Sequence, residues 1–244
     1  NLLANYAMEG GRYDEALALY DQALALDPVN CNANWNLALI WLLHGDFERG
    51  WKQFEWRKRL QSVVFDHGSY AGAEWKGESL EGRDILLHSE QGIGDAIQFI
   101  RYAPLLKARG ARRVYLECPY PIAPLLGGVP ALDGVIARGV ALPAYDVHAN
   151  LMSLPGLLAT TVETIPATVP YIPVEPRPAR SAVQVAPDEL SVGFVWTGNP
   201  GHARDFLRSA PLDAFRPLAA IPGVRLFSLQ KGAAAEHQLE SHPI

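Results

Sequence analysis

Asp95 stands directly after a turn with two glycines, Gly92 and Gly94. That turn joins an apolar run (Ile85, Leu86, Leu87) to a helical pattern through Ile97, Ile100, Leu105 and Leu106. A carboxylate in the first turn of a helix is kept ionised by the helix dipole, and an ionised carboxylate can take a proton from a hydroxyl. Asp is also a favoured capping residue, so a structural cap and a general base are both open for Asp95. Gln91, Gly92, Gly94 and Gln98 flank it and are candidate pocket residues. A second group of polar residues lies far downstream: Asn199, His202, Arg204, Asp205, Arg208 and Ser209, shortly before Pro211 opens a helical stretch. A guanidinium beside free backbone N–H groups suits a phosphate, which makes Arg208 a candidate anion contact with Asn199 and Ser209 nearby. The alternative for Arg208 is a solvated pair with Asp205. His148 follows a short apolar run and is expected at the same sheet edge as Asp95, either touching ligand or serving as a structural group. His88, inside a predicted strand, and His44, in a turn, show no gathered partners.

Other chemistries are excluded by residue type. Gly92-x-Gly94 after a strand invites the dinucleotide fingerprint, and Glu117 at the end of the next strand has the right distance for a ribose contact. The third glycine position holds Ile97, however, and Asp95 puts a negative charge where pyrophosphate would sit, so a nicotinamide enzyme ranks last. No Gly-x-x-x-x-Gly-Lys-Ser/Thr run exists, which excludes a P-loop. The histidines and two cysteines lack zinc-ligand spacing, and no Asp-x-Asp is present to anchor a metal-held pyrophosphate. Lys and Arg number 21 against 26 Asp and Glu, a net charge of −5 with no basic stripe, so a nucleic-acid partner has no electrostatic support. No apolar run reaches the roughly 18–20 residues that span a bilayer. Cys31 and Cys118, far apart in sequence, fit a reducing cytoplasm better than a disulfide framework.

The elements that must position these residues fall into segments. Residues 1–60 repeat at a period of 34: Leu3 and Leu37, Gly11 and Gly45, Tyr13 and Phe47, Ala16 and Gly50, Tyr20 and Phe54. That period, with Pro28 closing the first unit, resembles the tetratricopeptide repeat. The second copy departs from the pattern in placing Gly50 and Arg57 where alanines are usual. Fewer than two full repeats are present, so these helices must dock on the next domain, follow further repeats, or both. Residues 61–82 have no clear period and read as a connector. From 83 to 165, short apolar runs (85–87, 114–116, 135–136, 145–147) alternate with helical stretches (95–109, 121–127, about 151–160), the pattern of a Rossmann-like α/β lobe with a parallel sheet. Pro-rich residues 166–189 read as an interdomain linker. A second α/β lobe begins at 190 with a buried strand at 191–196, a helix at 211–219 and a strand at 224–229, and is incomplete at 244.

The runs Leu87-His88-Ser89-Glu90-Gln91-Gly92-Ile93-Gly94-Asp95-Ala96-Ile97-Gln98-Phe99-Ile100-Arg101-Tyr102, Val192-Gly193-Phe194-Val195-Trp196-Thr197-Gly198-Asn199-Pro200 and Arg208-Ser209-Ala210-Pro211-Leu212 resemble blocks of bacterial tetratricopeptide-repeat proteins with a C-terminal glycosyltransferase-like region. That region is similar to the family 9 heptosyltransferases and, more distantly, to repeat-bearing O-linked N-acetylglucosamine transferases. The resemblance covers nearly the whole chain. It implies a GT-B architecture, with the acceptor in the first Rossmann-like lobe and a nucleotide-sugar in the second. It also implies Asp95 as catalytic base, Arg208 on the donor diphosphate, and inverting transfer without metal or resident cofactor. Arg204 and Phe206 depart from the family run, where Asn and Arg are expected. The later second-lobe stretch that closes on the nucleotide has no counterpart, so the chain is expected to be a fragment that is not competent alone. Two functions are therefore carried forward. One is sugar transfer to a protein or glycan acceptor, with the repeats as a protein-partner surface. The other is a non-catalytic repeat module with a degenerate α/β lobe.

Overall fold

The computed structural model describes residues 1–60, 70–174, 186–199, 201, 205–232 and 238–239. They form two compact units, Asn1–Glu175 and Pro176–Ile244.

The first unit opens with two helical hairpins: α1 (Leu2–Glu9) with α2 (Tyr13–Leu26), and α3 (Cys31–Leu43) with α4 (Phe47–Phe54). The repeat explains the turns. Gly11 and Gly45, 34 residues apart, both take the left-handed conformation (φ +72° and +79°) that glycine adopts without steric cost. Caps are supplied locally, by Asn30 accepting from the Ala33 N–H and Asp46 accepting from the Arg49 N–H. Gly50, a departure from the repeat pattern, is required by close helix contact, since a Cβ there would lie 2.6 Å from Leu42 Cδ2. Ala4, Ala7, Ala16, Tyr20, Ala33, Leu37 and Ile40 form the core between the hairpins. A 3-10 turn, Glu55–Arg59, ends the helical segment.

A five-stranded parallel sheet follows, in the order β1 (Ala73–Glu74), β5 (Val147–Asn150), β2 (Asp84–His88), β3 (Arg113–Cys118), β4 (Gly134–Ala137). Helices α5 (Ile93–Phe99) and α6 (Ala103–Ala108) link β2 to β3, α7 (Ala123–Leu126) links β3 to β4, and α8 (Leu154–Leu157) follows β5. The register places Ile85, Leu87, Val114, Leu116, Val147 and Ala149 on one face. There they share a core with Ala96, Phe99, Ile100, Ala103 and Leu106, and also with Ala38 and Phe54 of the repeat helices. The helical hairpins are thus packed onto the α/β layer as part of one hydrophobic core. The opposite face carries Glu74, Leu86, His88, Tyr115, Glu117 and His148, a polar pattern unlike a sheet buried by apolar contacts on both sides.

Three boundaries differ from expectation. The connector 61–82 contains β1, a two-residue edge strand too short to carry a period; residues 61–69 lie outside the described residues. The fourth predicted strand, 145–147, is shifted to Val147–Asn150. The Pro-rich linker is partly docked on the first unit: Pro166 O accepts from Arg101 Nη1 (3.0 Å), Arg101 lies over the Tyr171 ring (4.4 Å), and the units divide after Glu175.

In the second unit β6 (Leu190–Phe194) pairs in parallel with β7 (Val224–Ser228). A 3-10 turn, Leu212–Phe215, and α9 (Arg216–Ala219) lie between them. The expected buried strand is largely exposed, with only Phe194 of β6 buried, and the core consists of Phe194, Trp196 and Leu212.

Candidate functional site

Strand order reverses at β2, because β3 and β4 lie to one side and β5 to the other. In open α/β sheets, ligands bind outside the carboxyl ends of the strands at such a reversal. The residues there are 89–92 after β2, and Asn150 at the end of β5 with Leu151–Ser153 after it.

Asp95 is the third residue of α5 and half-buried. The N-cap itself is Gly92, and the Asp95 Oδ2 reaches back to accept the Gly92 N–H at 2.9 Å, so Asp95 closes the first turn from its third position and not as the cap residue. Gln91, Gly92, Gly94 and Gln98 are all exposed around it. Gln91 is left-handed (φ +58°), which costs a side-chain-bearing residue on the order of 1 kcal/mol. Gly94 is different. A Cβ there would meet nothing within 4 Å and its φ is not positive, so the fold does not demand glycine at that position. Glycine near a helix start carries an entropic cost of roughly 0.5–1 kcal/mol relative to alanine, and its return is a bare backbone open to close approach.

The crevice between β2 and β5 is filled by a group that the sequence did not bring to the site. Arg57, from the 3-10 turn that ends the repeat helices, is fully buried. Its Nη2 donates to Glu90 Oε1 (2.5 Å) and Ser153 Oγ (2.8 Å), and its Nη1 donates to Glu55 Oε1 (2.6 Å) and Phe54 O (3.3 Å). Asn150 Nδ2 donates to the other Glu90 oxygen at 3.1 Å. Ser153 Oγ in turn donates to Glu55. Burial pushes the Glu90 carboxyl upward even with Arg57 beside it. The residue of β5 at this edge is therefore Asn150. His148 belongs to the middle of the strand and to the polar face, which corrects its expected position.

On that polar face His88 has the partners the sequence did not reveal. Tyr70 stacks on it (centroids 4.1 Å apart, planes at 16°), and its Nε2 lies 3.3 Å from His148 Nδ1. Tyr70 donates its hydroxyl to Glu117 Oε2 at 2.5 Å, so Glu117 is committed within the fold. Lys58 bridges Glu55 and Glu74, both at 2.6 Å. Burial, then the neighbouring His148 and Lys58, lower His88 to about 3; burial also lowers His148, with Glu74 pulling the other way and Lys58 and Lys76 adding to the shift. A histidine whose folded pKa lies below its unfolded value binds fewer protons when folded. Its contribution is therefore intact above the ordinary imidazole value and is lost as pH falls below about 6.5. Between pH 6.5 and 5, His88 alone should remove about 2 kcal/mol of stability. Denaturant midpoints across that range test this, and His88→Phe, which keeps an aromatic ring for Tyr70, should flatten the dependence. His148 and Tyr145 from β5 and its approach, Glu117 from β3, Glu74 from β1, Lys58 from the repeats and Arg138 after β4 are the other titratable or charged groups around it. No group of three His, Cys, Asp or Glu among the described residues could hold a metal ion.

In the second unit Ser209 Oγ accepts the Gly198 N–H (2.9 Å) and donates to Asp205 Oδ2 (2.8 Å), while Arg208 Nε donates to Asp205 Oδ1 (3.2 Å). Arg208 is thus brought together with Ser209 through Asp205 and keeps about half its side chain exposed (51%). Asn199 is exposed and turns back on its own loop, accepting the Gly201 N–H. A Cβ at position 198 would fall 2.2 Å from Asp205 Oδ1, so any larger residue there would push the Asp205–Arg208 pair aside. His202 and Arg204 lie outside the described residues.

Residues 1–51 match the family model for the tetratricopeptide repeat. The chain is similar to Protein FlbA of Caulobacter vibrioides, at 26% identity over 226 residues, covering 82% of this chain and 37% of that protein. It therefore spans little more than a third of that relative's length. No solved structure matches the chain. Among the described residues no helix is long and apolar enough to cross a membrane.

Proposed function

We propose that this chain is part of a GT-B-type glycosyltransferase of the cytoplasm that acts on a protein acceptor engaged by its repeats, using a nucleotide-sugar donor and neither metal nor resident cofactor. Asp95 takes the proton from the acceptor hydroxyl as it attacks the anomeric carbon. Arg208, steadied by Asp205 and Ser209, meets the leaving diphosphate, and the C–O bond to that diphosphate breaks with inversion. The observation that carries the reading is Gly94. It is a glycine with open space around it, directly before a half-buried carboxylate at the carboxyl end of β2, where a substrate can approach the backbone. The repeats support a protein acceptor over a free glycan, because they are joined to the same core as the sheet.

A panel of nucleotide-sugars screened by thermal shift on the protein at its full natural length tests this. One donor should stabilise it, by about 2.7 kcal/mol at a hundredfold excess over its dissociation constant. Arg208→Ala should weaken that donor roughly tenfold or more, since a charge-assisted contact to phosphate is lost. The second reading, a non-catalytic interaction module, is favoured by the pairing of Arg208 and Ser209 with Asp205. It predicts no response to any nucleotide-sugar.

A further inference from the structure

We infer that Arg57, at the end of the repeat helices, positions the turn that carries Asp95, so that the repeats and the Gly92–Asp95 turn behave as one mechanical element. What the turn does rests on the transferase reading; the coupling itself does not.

The repeat pattern asks for a small residue at position 57, the counterpart of Ala23 one period earlier. An arginine placed there and fully buried has only near neighbours, Phe54 and Glu55, within the repeat, and these occupy one arm of its guanidinium. Its other arm reaches partners 33 and 96 residues away in sequence, Glu90 and Ser153. Glu90 immediately precedes the left-handed Gln91. Its two carboxylate oxygens are held from opposite sides, one by the repeats through Arg57 and the other by β5 through Asn150. Just upstream, Ser89 O accepts from Arg138 Nη2 at 2.7 Å and Ser89 N donates to Glu117 O. Just downstream, Asp95 holds the Gly92 N–H. Gln91 is left between two fixed points, and a left-handed conformation persists in such a residue only where its neighbours impose it.

The crevice between β2 and β5 therefore holds a guanidinium from the repeats, and the surface left to a ligand is the outer side of the turn. Displacing the repeat end displaces Glu90, two residues from Gly92. Arg57 touches no reacting atom in this account and is a positioning residue.

Arg57→Lys keeps the charge and removes the planar fork, whose Nη1 is anchored on Phe54 O and Glu55 while Nη2 reaches Glu90 and Ser153. Amide hydrogen exchange on the whole protein should show the bonded amides of the turn, Gly92 and Ala96, exchanging about tenfold faster, while the amides of β3 change less than about twofold. Glu90→Gln, which keeps the shape and an acceptor oxygen, should give the same local pattern more weakly and serves if Arg57→Lys does not fold. Uniform acceleration across the first unit, or no change at Gly92 and Ala96, overturns the inference. Where transfer can be assayed, Arg57→Lys should lower kcat with KM unchanged. The exchange pattern needs no donor, so a local effect in a protein that responds to no nucleotide-sugar sinks the transferase reading and leaves the coupling in place.

Discussion

Arg57→Ala should lower the unfolding free energy of the first unit by about 3–5 kcal/mol, followed by tryptophan fluorescence in urea. The size comes from what is left behind more than from what is removed. Glu90, 7% exposed, would keep a carboxylate with Asn150 as its described hydrogen-bond donor and only the more distant charge of Lys58 to offset it. Ser153 Oγ would lose a donor and the Phe54 ring its stacked guanidinium, 4.6 Å from the centroid. An uncompensated buried charge is among the few single changes that reach this magnitude. The effect should depend on pH with a definite sign. Burial already raises the Glu90 carboxyl, and removing the adjacent cation raises it further. A carboxyl whose folded pKa exceeds its unfolded value binds more protons when folded, so its penalty grows as pH rises above the ordinary glutamate value. The loss in Arg57→Ala should therefore be larger at pH 7.5 than at pH 5. The His88 dependence cancels in the comparison with wild type, since both proteins carry it. Adding Glu90→Gln should recover part of the loss, and a double-mutant cycle with no coupling would show that the ion pair is not what Arg57 contributes.

The parts of this fold that were legible in sequence are those with a period long enough to see. The helical hairpins followed from spacings of 34, and the repeated pair Gly11 and Gly45 proved to be the glycines of the two hairpin turns. The parallel sheet followed from apolar runs at Ile85–Leu87 and 114–116, which are buried on both faces and so read as continuous rather than alternating. Strand β1 was lost because two residues carry no pattern, and β5 was shifted because His148 and Asn150, on its polar face, break up the apolar run in the sequence. His88 was dismissed for lacking neighbours in sequence. Its partners, Tyr70, His148 and, through Tyr70, Glu117, come from three separate segments and meet only on the folded sheet. Arg57 carried a signal of another kind. A large charged residue at a small-residue position of a repeat is a local inconsistency, and such inconsistencies mark places where a contact outside the local element decides the residue. Gly50 broke the same pattern, but its reason lies within the hairpin, in the approach of Leu42.

Asp95→Asn should separate the two roles of this side chain. Asparagine keeps an acceptor oxygen in the place that receives the Gly92 N–H, so the first turn of α5 stays closed. Only the favourable interaction of a negative charge with the helix N-terminus is lost, about 0.3–1 kcal/mol, and the protein should fold with nearly unchanged stability. Donor binding, assigned to Arg208 and its neighbours in the other unit, should be unaffected. Turnover should fall by about 10²–10⁴-fold, the usual contribution of a positioned general base, because an amide cannot take the acceptor proton. Asp95→Ala is the informative contrast: it removes the turn-closing acceptor as well and should lose stability together with turnover. Equal turnover in wild type and Asp95→Asn would leave Asp95 with the closing of the turn alone. A base that also closes the turn is held in place by the bond it accepts, and the Gly92 N–H that fixes the Asp95 carboxylate belongs to the same turn that Arg57 steadies through Glu90. The three changes should therefore rank differently in stability and in turnover. Arg57→Ala is the most damaging to the fold, Asp95→Asn the most damaging to transfer alone, and Asp95→Ala intermediate in stability with transfer lost. A parallel ranking in both measurements would mean that loss of transfer reports only loss of fold.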